Sequence, residues 1–100
     1  MSKNLYKIKS KVFAFPGMDG WHFLSVPKSP STKINAAFAH AKRGWGSLPV
    51  EAKVGKTAWN TSIFPDKKSG TYVLPLKAAV RKKEGLDKGD SVSFSISIRA

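Results

Sequence analysis

Residues 71–98, TYVLPLKAAVRKKEGLDKGDSVSFSISI, decide how the rest of the chain is read. In the closing run, Val92, Phe94, Ile96 and Ile98 share one parity, while Ser91, Ser93, Ser95, Ser97 and Arg99 share the other. Successive side chains of a strand point to opposite faces, so this alternation predicts a half-buried strand, apolar inward and hydroxyl outward. Upstream of it, Lys88-Gly89-Asp90 reads as a turn. Leu76–Glu84 reads as a short basic helix with Leu76, Ala79 and Val80 inward, stopped by Gly85. Thr71–Leu74 is a strand that Pro75 ends, because proline has no N–H to give to a ladder.

The same grammar runs through the earlier residues. Lys56–Phe64 is a strand and Pro65–Gly70 a turn. At the start of the chain, Leu5–Phe15 alternates Tyr6, Ile8 and Val12 against Lys7, Lys9 and Lys11, until Phe13 and Phe15 fall on the other parity. A bulge or a strand end produces such a slip. Pro16–Gly20 has turn composition, and Trp21–Val26 is a second strand that pairs with the first as a hairpin. Pro30-Ser31 then opens a helix, with Ser31 as cap and Ile34, Ala37, Phe38 and Ala41 as its apolar stripe. Lys42-Arg43-Gly44 closes that helix, GWGSLP is a loop, and Val50–Val54 is a strand.

Each half is thus strand, turn, strand, proline, helix, loop, strand. The pairs Phe15 and Phe64, Gly20 and Gly70, and Pro27 and Pro75 lie 49, 50 and 48 positions apart. We therefore expect two pseudo-repeats, at about residues 5–55 and 56–99, that need each other to bury an apolar face. The expected architecture is one mainly β domain over residues 1–100: a small six-stranded closed or split β-barrel of two β-β-α-β halves with two short helices.

Composition narrows the function classes. Eighteen Lys and Arg against six Asp and Glu give a net charge of +12. The excess is +7 in residues 1–50 and +5 in residues 51–100, so it belongs to the whole domain and not to a tail. A field of this sign favours polyanions, nucleic acid foremost. The chain has no cysteine, which excludes disulfides, thiolate catalysis and thiolate-bound zinc. No apolar run is long enough to span a bilayer, and MSKNLYKIKSK lacks the apolar core of a signal peptide. The expectation is a soluble, cytoplasmic, monomeric protein that does not associate with membranes.

Two resemblances follow from quoted residues. The run from about Tyr6 onward, and above all Gly55–Pro65, Tyr72–Arg81 and Gly89-Asp90-Ser91-Val92, resembles the bacterial domain-of-unknown-function family DUF1905. That resemblance implies a small β-barrel with no assigned activity. More locally, VLPLKAAVRKKEGLDKGDSVSF is similar to the helix-and-turn half of AbrB-type swapped-hairpin DNA-binding proteins, which build their barrel from two chains. Arg81 takes the place of the helix arginine there, whereas the first half of this chain has neither an equivalent arginine nor a Gly-Asp turn.

Catalysis finds little in the sequence. His22 sits in an apolar strand, His40 lies opposite the Ile34 stripe, and neither has a carboxylate at a telling spacing. The serines lack a nucleophile elbow. Two distant histidines and scattered carboxylates form no metal-ligand cluster, and Asp87 and Asp90 read as turn-capping residues. No catalytic residue, metal site or cofactor is expected. Interleaved aromatics and cations are a different matter, because single-stranded nucleic acid needs flat faces for bases and charges for phosphates. Trp21 and Trp59 read as barrel filling, and Trp45, between glycines, as an exposed contact. The expected polyanion contacts are Lys67, Lys68, Lys77, Arg81 and Lys82, with Arg43 and Trp45. The alternative is a small-molecule or peptide-binding accessory module with its cleft near Trp45.

Overall fold

The computed structural model describes residues 5–15, 17, 21–41 and 46–99. Its elements are β1 (Leu5–Phe13), β2 (His22–Val26), α1 (Lys28–Phe38, extended by a 3₁₀ turn over Ala39–Ala41), β3 (Leu48–Val54), β4 (Thr57–Asp66), β5 (Thr71–Leu76), α2 (Ala78–Glu84) and β6 (Ser91–Ile98). The strands close into one antiparallel barrel in the order β1-β2-β5-β4-β3-β6, with β6 returning to β1. This is the mainly β, six-stranded closed barrel with two helices that the alternation and turn spacing predict.

Strand interiors follow parity. Leu24, Val26, Val50, Ala52, Ile63, Leu74 and Ile96 point inward and are fully or almost fully buried. The Ser91–Ile98 strand behaves as its sequence requires, with every apolar residue buried and the serines exposed or half-buried. The parity slip near Phe13 is a strand end: β1 stops at Phe13, which stays on the outer side with Lys7, Lys9 and Lys11.

The two helices leave from opposite ends of the β2·β5 ladder, α1 beyond the Val26↔Tyr72 pair and α2 beyond His22↔Leu76. Ile34 and Phe38 of α1 and Val80 of α2 join the barrel's core cluster. Burial of side chains of this size stabilises the fold by about 1.5–3 kcal/mol each. Ser31 is the second anchor of α1. Its hydroxyl donates to the Val26 carbonyl at 2.8 Å and accepts the Tyr72 N–H at 3.0 Å, tying helix to two strands.

Several expected boundaries move, each for a physical reason. α1 begins at Lys28, not at Pro30-Ser31, because Pro30 occupies the first turn, where a missing N–H costs no helical bond. Ser31 is therefore not the cap; Pro27 holds that position, with no side-chain hydrogen bond. The buried stripe is Ser31, Ile34 and Phe38, whereas Ala37 is exposed. Leu76 ends β5 and is not part of α2, whose Ala79 is exposed; Gly85 does cap α2, in the left-handed conformation at φ 66.

Three strands also run through the prolines expected to bound them. Pro49, Pro65 and Pro75 lie inside β3, β4 and β5. Each sits one or two residues beyond the end of one flanking ladder: β3·β6 ends at Val50↔Ile98, β3·β4 at Leu48↔Ile63, and β4·β5 at Phe64↔Val73. A strand edge without a neighbour needs no N–H, so proline is tolerated there.

Candidate functional site

The register places β6 between β1 and β3, and with it the serine row between two sources of lysine. Outward residues line up as Lys7–Ser95–Lys53, then Lys9–Ser93, then Lys11–Ser91. All four lysines are exposed. Successive outward residues of a strand are about 7 Å apart, so β1 offers a regular column of cations beside a column of hydroxyls. An open trough of about 440 Å³ runs along this wall, lined by Lys7, Lys9, Lys53, Ser93 and Ser95. Its acidic neighbours are Glu51, between Ser97 of β6 and Asn60 of β4, and Glu84, whose carboxylate lies over Gly55 at the rim of the trough.

The outer side changes character where β1 leaves β6 for β2. After Lys11 the next outward residue is Phe13, whose ring lies 5.1 Å from Phe15 and 5.9 Å from Phe23. Phe23 in turn stacks on Trp21 at 6.4 Å with an interplanar angle of 17°. Trp21, read from sequence as barrel filling, is instead 57 % exposed. Two residues before Phe23, it shares that residue's outward parity, opposite to inward Leu24 and Val26. Trp59 is half-buried against the core.

A second hollow of about 470 Å³ opens between β4 and the start of α2, lined by Trp21, Trp59, Asn60, Phe64, Pro75 and Lys77. It exists because β4 pairs with β5 only over Phe64–Asp66. From Trp59 to Ile63, β4 keeps β3 on one edge and has no strand on the other among the described residues.

The cations expected from sequence do not form one patch. Lys67 and Lys68 occupy the β4–β5 turn, held by Asp66, which accepts from the Lys68 N–H at 3.2 Å and the Ser69 hydroxyl at 3.0 Å. Lys77, Arg81 and Lys82 lie beyond the far end of β5. The six residues of β5 separate the two groups, about 20 Å of strand. Arg81 is half-buried, and its Nε is buried without a hydrogen-bond partner among the described residues. Lys77 joins the aromatic hollow, while Arg43 and Trp45 lie outside the described residues. Sequence reading missed Lys7, Lys9, Lys11 and Lys53 as a group. Their parity on β1 and β3 was visible, but their meeting across β6 depends on barrel closure.

Asp87 and Asp90 shape the turn before β6. The Asp87 N–H donates to the Asp90 carboxylate at 2.8 Å, and this turn docks on β1 through Gly89 N–H to Val12 O at 2.8 Å and Val12 N–H to Asp90 O at 2.9 Å. His22 is half-buried opposite Leu76 in the ladder, and His40 is exposed. No three His, Asp or Glu side chains gather as a metal site among the described residues. Nor is any described helix long and apolar enough to cross a membrane.

No curated protein sequence matches the chain. A family profile described as "Domain of unknown function (DUF1905)" matches residues 9–96, which takes in every strand and both helices apart from the ends of β1 and β6. The chain therefore belongs to the DUF1905 family.

Proposed function

We propose that this domain is a non-catalytic binding module for a polyanion, with nucleic acid as the ligand, and that the ligand lies along the wall formed by β1, β6 and β3. The observation that carries this reading is the alignment of Lys7, Lys9, Lys11 and Lys53 around the outward serines of β6. Exposed ammonium groups at regular spacing follow a phosphate chain as point charges, and hydroxyls between them can donate to phosphate oxygens. The net charge of +12 draws such a ligand in from solution.

Titration of fluorescent single- and double-stranded oligonucleotides at low and moderate salt tests it. Saturable binding that falls steeply with salt, and that Lys7→Ala/Lys9→Ala/Lys53→Ala lowers at least tenfold while Lys82→Ala/Lys83→Ala does not, is the expected result. Absence of saturable binding at low salt would end the reading.

A further inference from the structure

We infer that the hollow between β4 and α2 seats an unpaired base of the same strand whose phosphates lie on the lysine wall, so that the domain prefers single-stranded over duplex nucleic acid. The inference rests on the polyanion reading and adds to it a second subsite and a strand preference. Of the three large apolar side chains exposed among the described residues, two, Trp21 at 57 % and Phe64 at 39 %, stand at this hollow. Trp21 is backed on one face by the Phe23 ring at 6.4 Å and nearly parallel to it, which fixes the indole and leaves it presented to solvent. A rigid, presented aromatic face is what an unstacked base pairs with, whatever its identity.

The polar lining suits the same guest. Asn60 carries both a donor pair and an acceptor for a base edge, and Lys77 a charge for the adjoining phosphate. About 470 Å³ falls in the range of small-ligand pockets and accepts one flat ring system with its sugar. A line of rings leads from the end of the wall toward the hollow. On the outer side of β1, Lys11 is followed by Phe13, and the rings run Phe13, Phe23, Trp21 into the hollow. A strand that leaves the lysines can pass the Asp87–Asp90 turn docked on Val12 and reach Phe13 and the exposed Trp21 ring, with Phe23 buried between them as their support. Duplex bases are already stacked and paired, and offer no face to Trp21. An uncharged peptide would use the aromatic lining but gain nothing from the lysines that lead to it.

The test uses the full chain with Trp45→Phe, which leaves Trp21 and Trp59 as its only indoles. Titration with a short oligothymidylate is expected to quench tryptophan fluorescence, and a duplex of equal length is expected to bind more weakly with little quenching. Trp21→Ala/Phe64→Ala should weaken oligothymidylate binding by roughly fivefold to a hundredfold, with the salt slope and the duplex affinity unchanged. Lys7→Ala/Lys9→Ala/Lys53→Ala should lower both affinities and flatten the slope. Asn60→Ala, at an exposed position, gives a milder loss for the single strand alone and guards against a folding defect in the double variant. Equal loss for single strand and duplex, or no loss, overturns the inference while the polyanion reading stands. Quenching by an uncharged proline-rich peptide but not by oligothymidylate overturns it in favour of a peptide. Failure of every oligonucleotide to bind at low salt removes both.

Discussion

Ser31 shows how much one hydroxyl can organise. It satisfies the Tyr72 N–H and the Val26 carbonyl at once, and both bonds are buried. Ser31→Ala leaves that N–H without a partner and should cost about 1–3 kcal/mol, read as a lower urea midpoint at unchanged slope. Thr32→Ala, one exposed residue away, should stay within about 0.5 kcal/mol. Tyr72 supplies a pH signature. Burial pushes its phenol up from the ordinary 10.0, so the folded state keeps the proton longer than the unfolded chain does. The stability this contributes is present below pH 10.0 and lost as pH rises through the folded value. The gap in stability between the parent and Tyr72→Phe should therefore stay constant up to that pH and shift against the parent above it. A gap that ignores pH across this window would remove the claim. Neither role was legible in the sequence. Ser31 looked like a helix cap because cap chemistry is local, whereas its partner Tyr72 is 41 positions away.

At the scale of elements, local patterning carried far and failed at predictable places. The Ser91–Ile98 strand was legible because alternation needs no knowledge of neighbours. β2 does end before Pro27, but the strand ends at Pro65 and Pro75 were misread because what a proline costs depends on whether a second ladder passes it, and that is a property of the partner strand. The β3–β4 hairpin adds a coupling between elements. Val54 pairs with Thr57 across a two-residue turn, Gly55-Lys56, with Gly55 at φ +56. Glu84, at the end of α2, lies over that turn and accepts the Thr57 hydroxyl at 2.6 Å. A Cβ on Gly55 would run into the Glu84 carboxylate. Gly55→Ala should cost at least about 1–2 kcal/mol from the left-handed backbone alone, and Glu84→Ala less. The double variant should cost less than the sum, since removing the carboxylate also removes the clash. Strict additivity in the unfolding midpoints would show that helix and hairpin are not coupled there.

For the whole molecule, the closure of six strands into a ring was legible from counting elements, while the identity of neighbours was not. Only closure places β6 between β1 and β3 and brings Lys53 into one wall with the lysines of β1, more than forty positions away in sequence. That wall sets the expected salt response. Each phosphate neutralised on a single strand contributes a slope of about −0.7 in log K against log salt. Removing Lys7, Lys9 and Lys53 together should flatten the slope by roughly two units if each meets one phosphate. A slope that does not change would move the phosphate path elsewhere on the barrel.

The ring has one further property. Exchanging β1 with β4, β2 with β5 and β3 with β6 reproduces the same set of neighbours. Leu24 faces Leu74 at the centre of one ladder between the halves, and Ala52 faces Ile96 at the centre of the other. Leu5 also lies opposite Ser97. A chain rejoined across Leu5 and Ser97 and opened between Gly55 and Lys56 would still read strand, strand, helix, strand, twice over. Circular permutation at that turn changes which half is made first and leaves the architecture as it was.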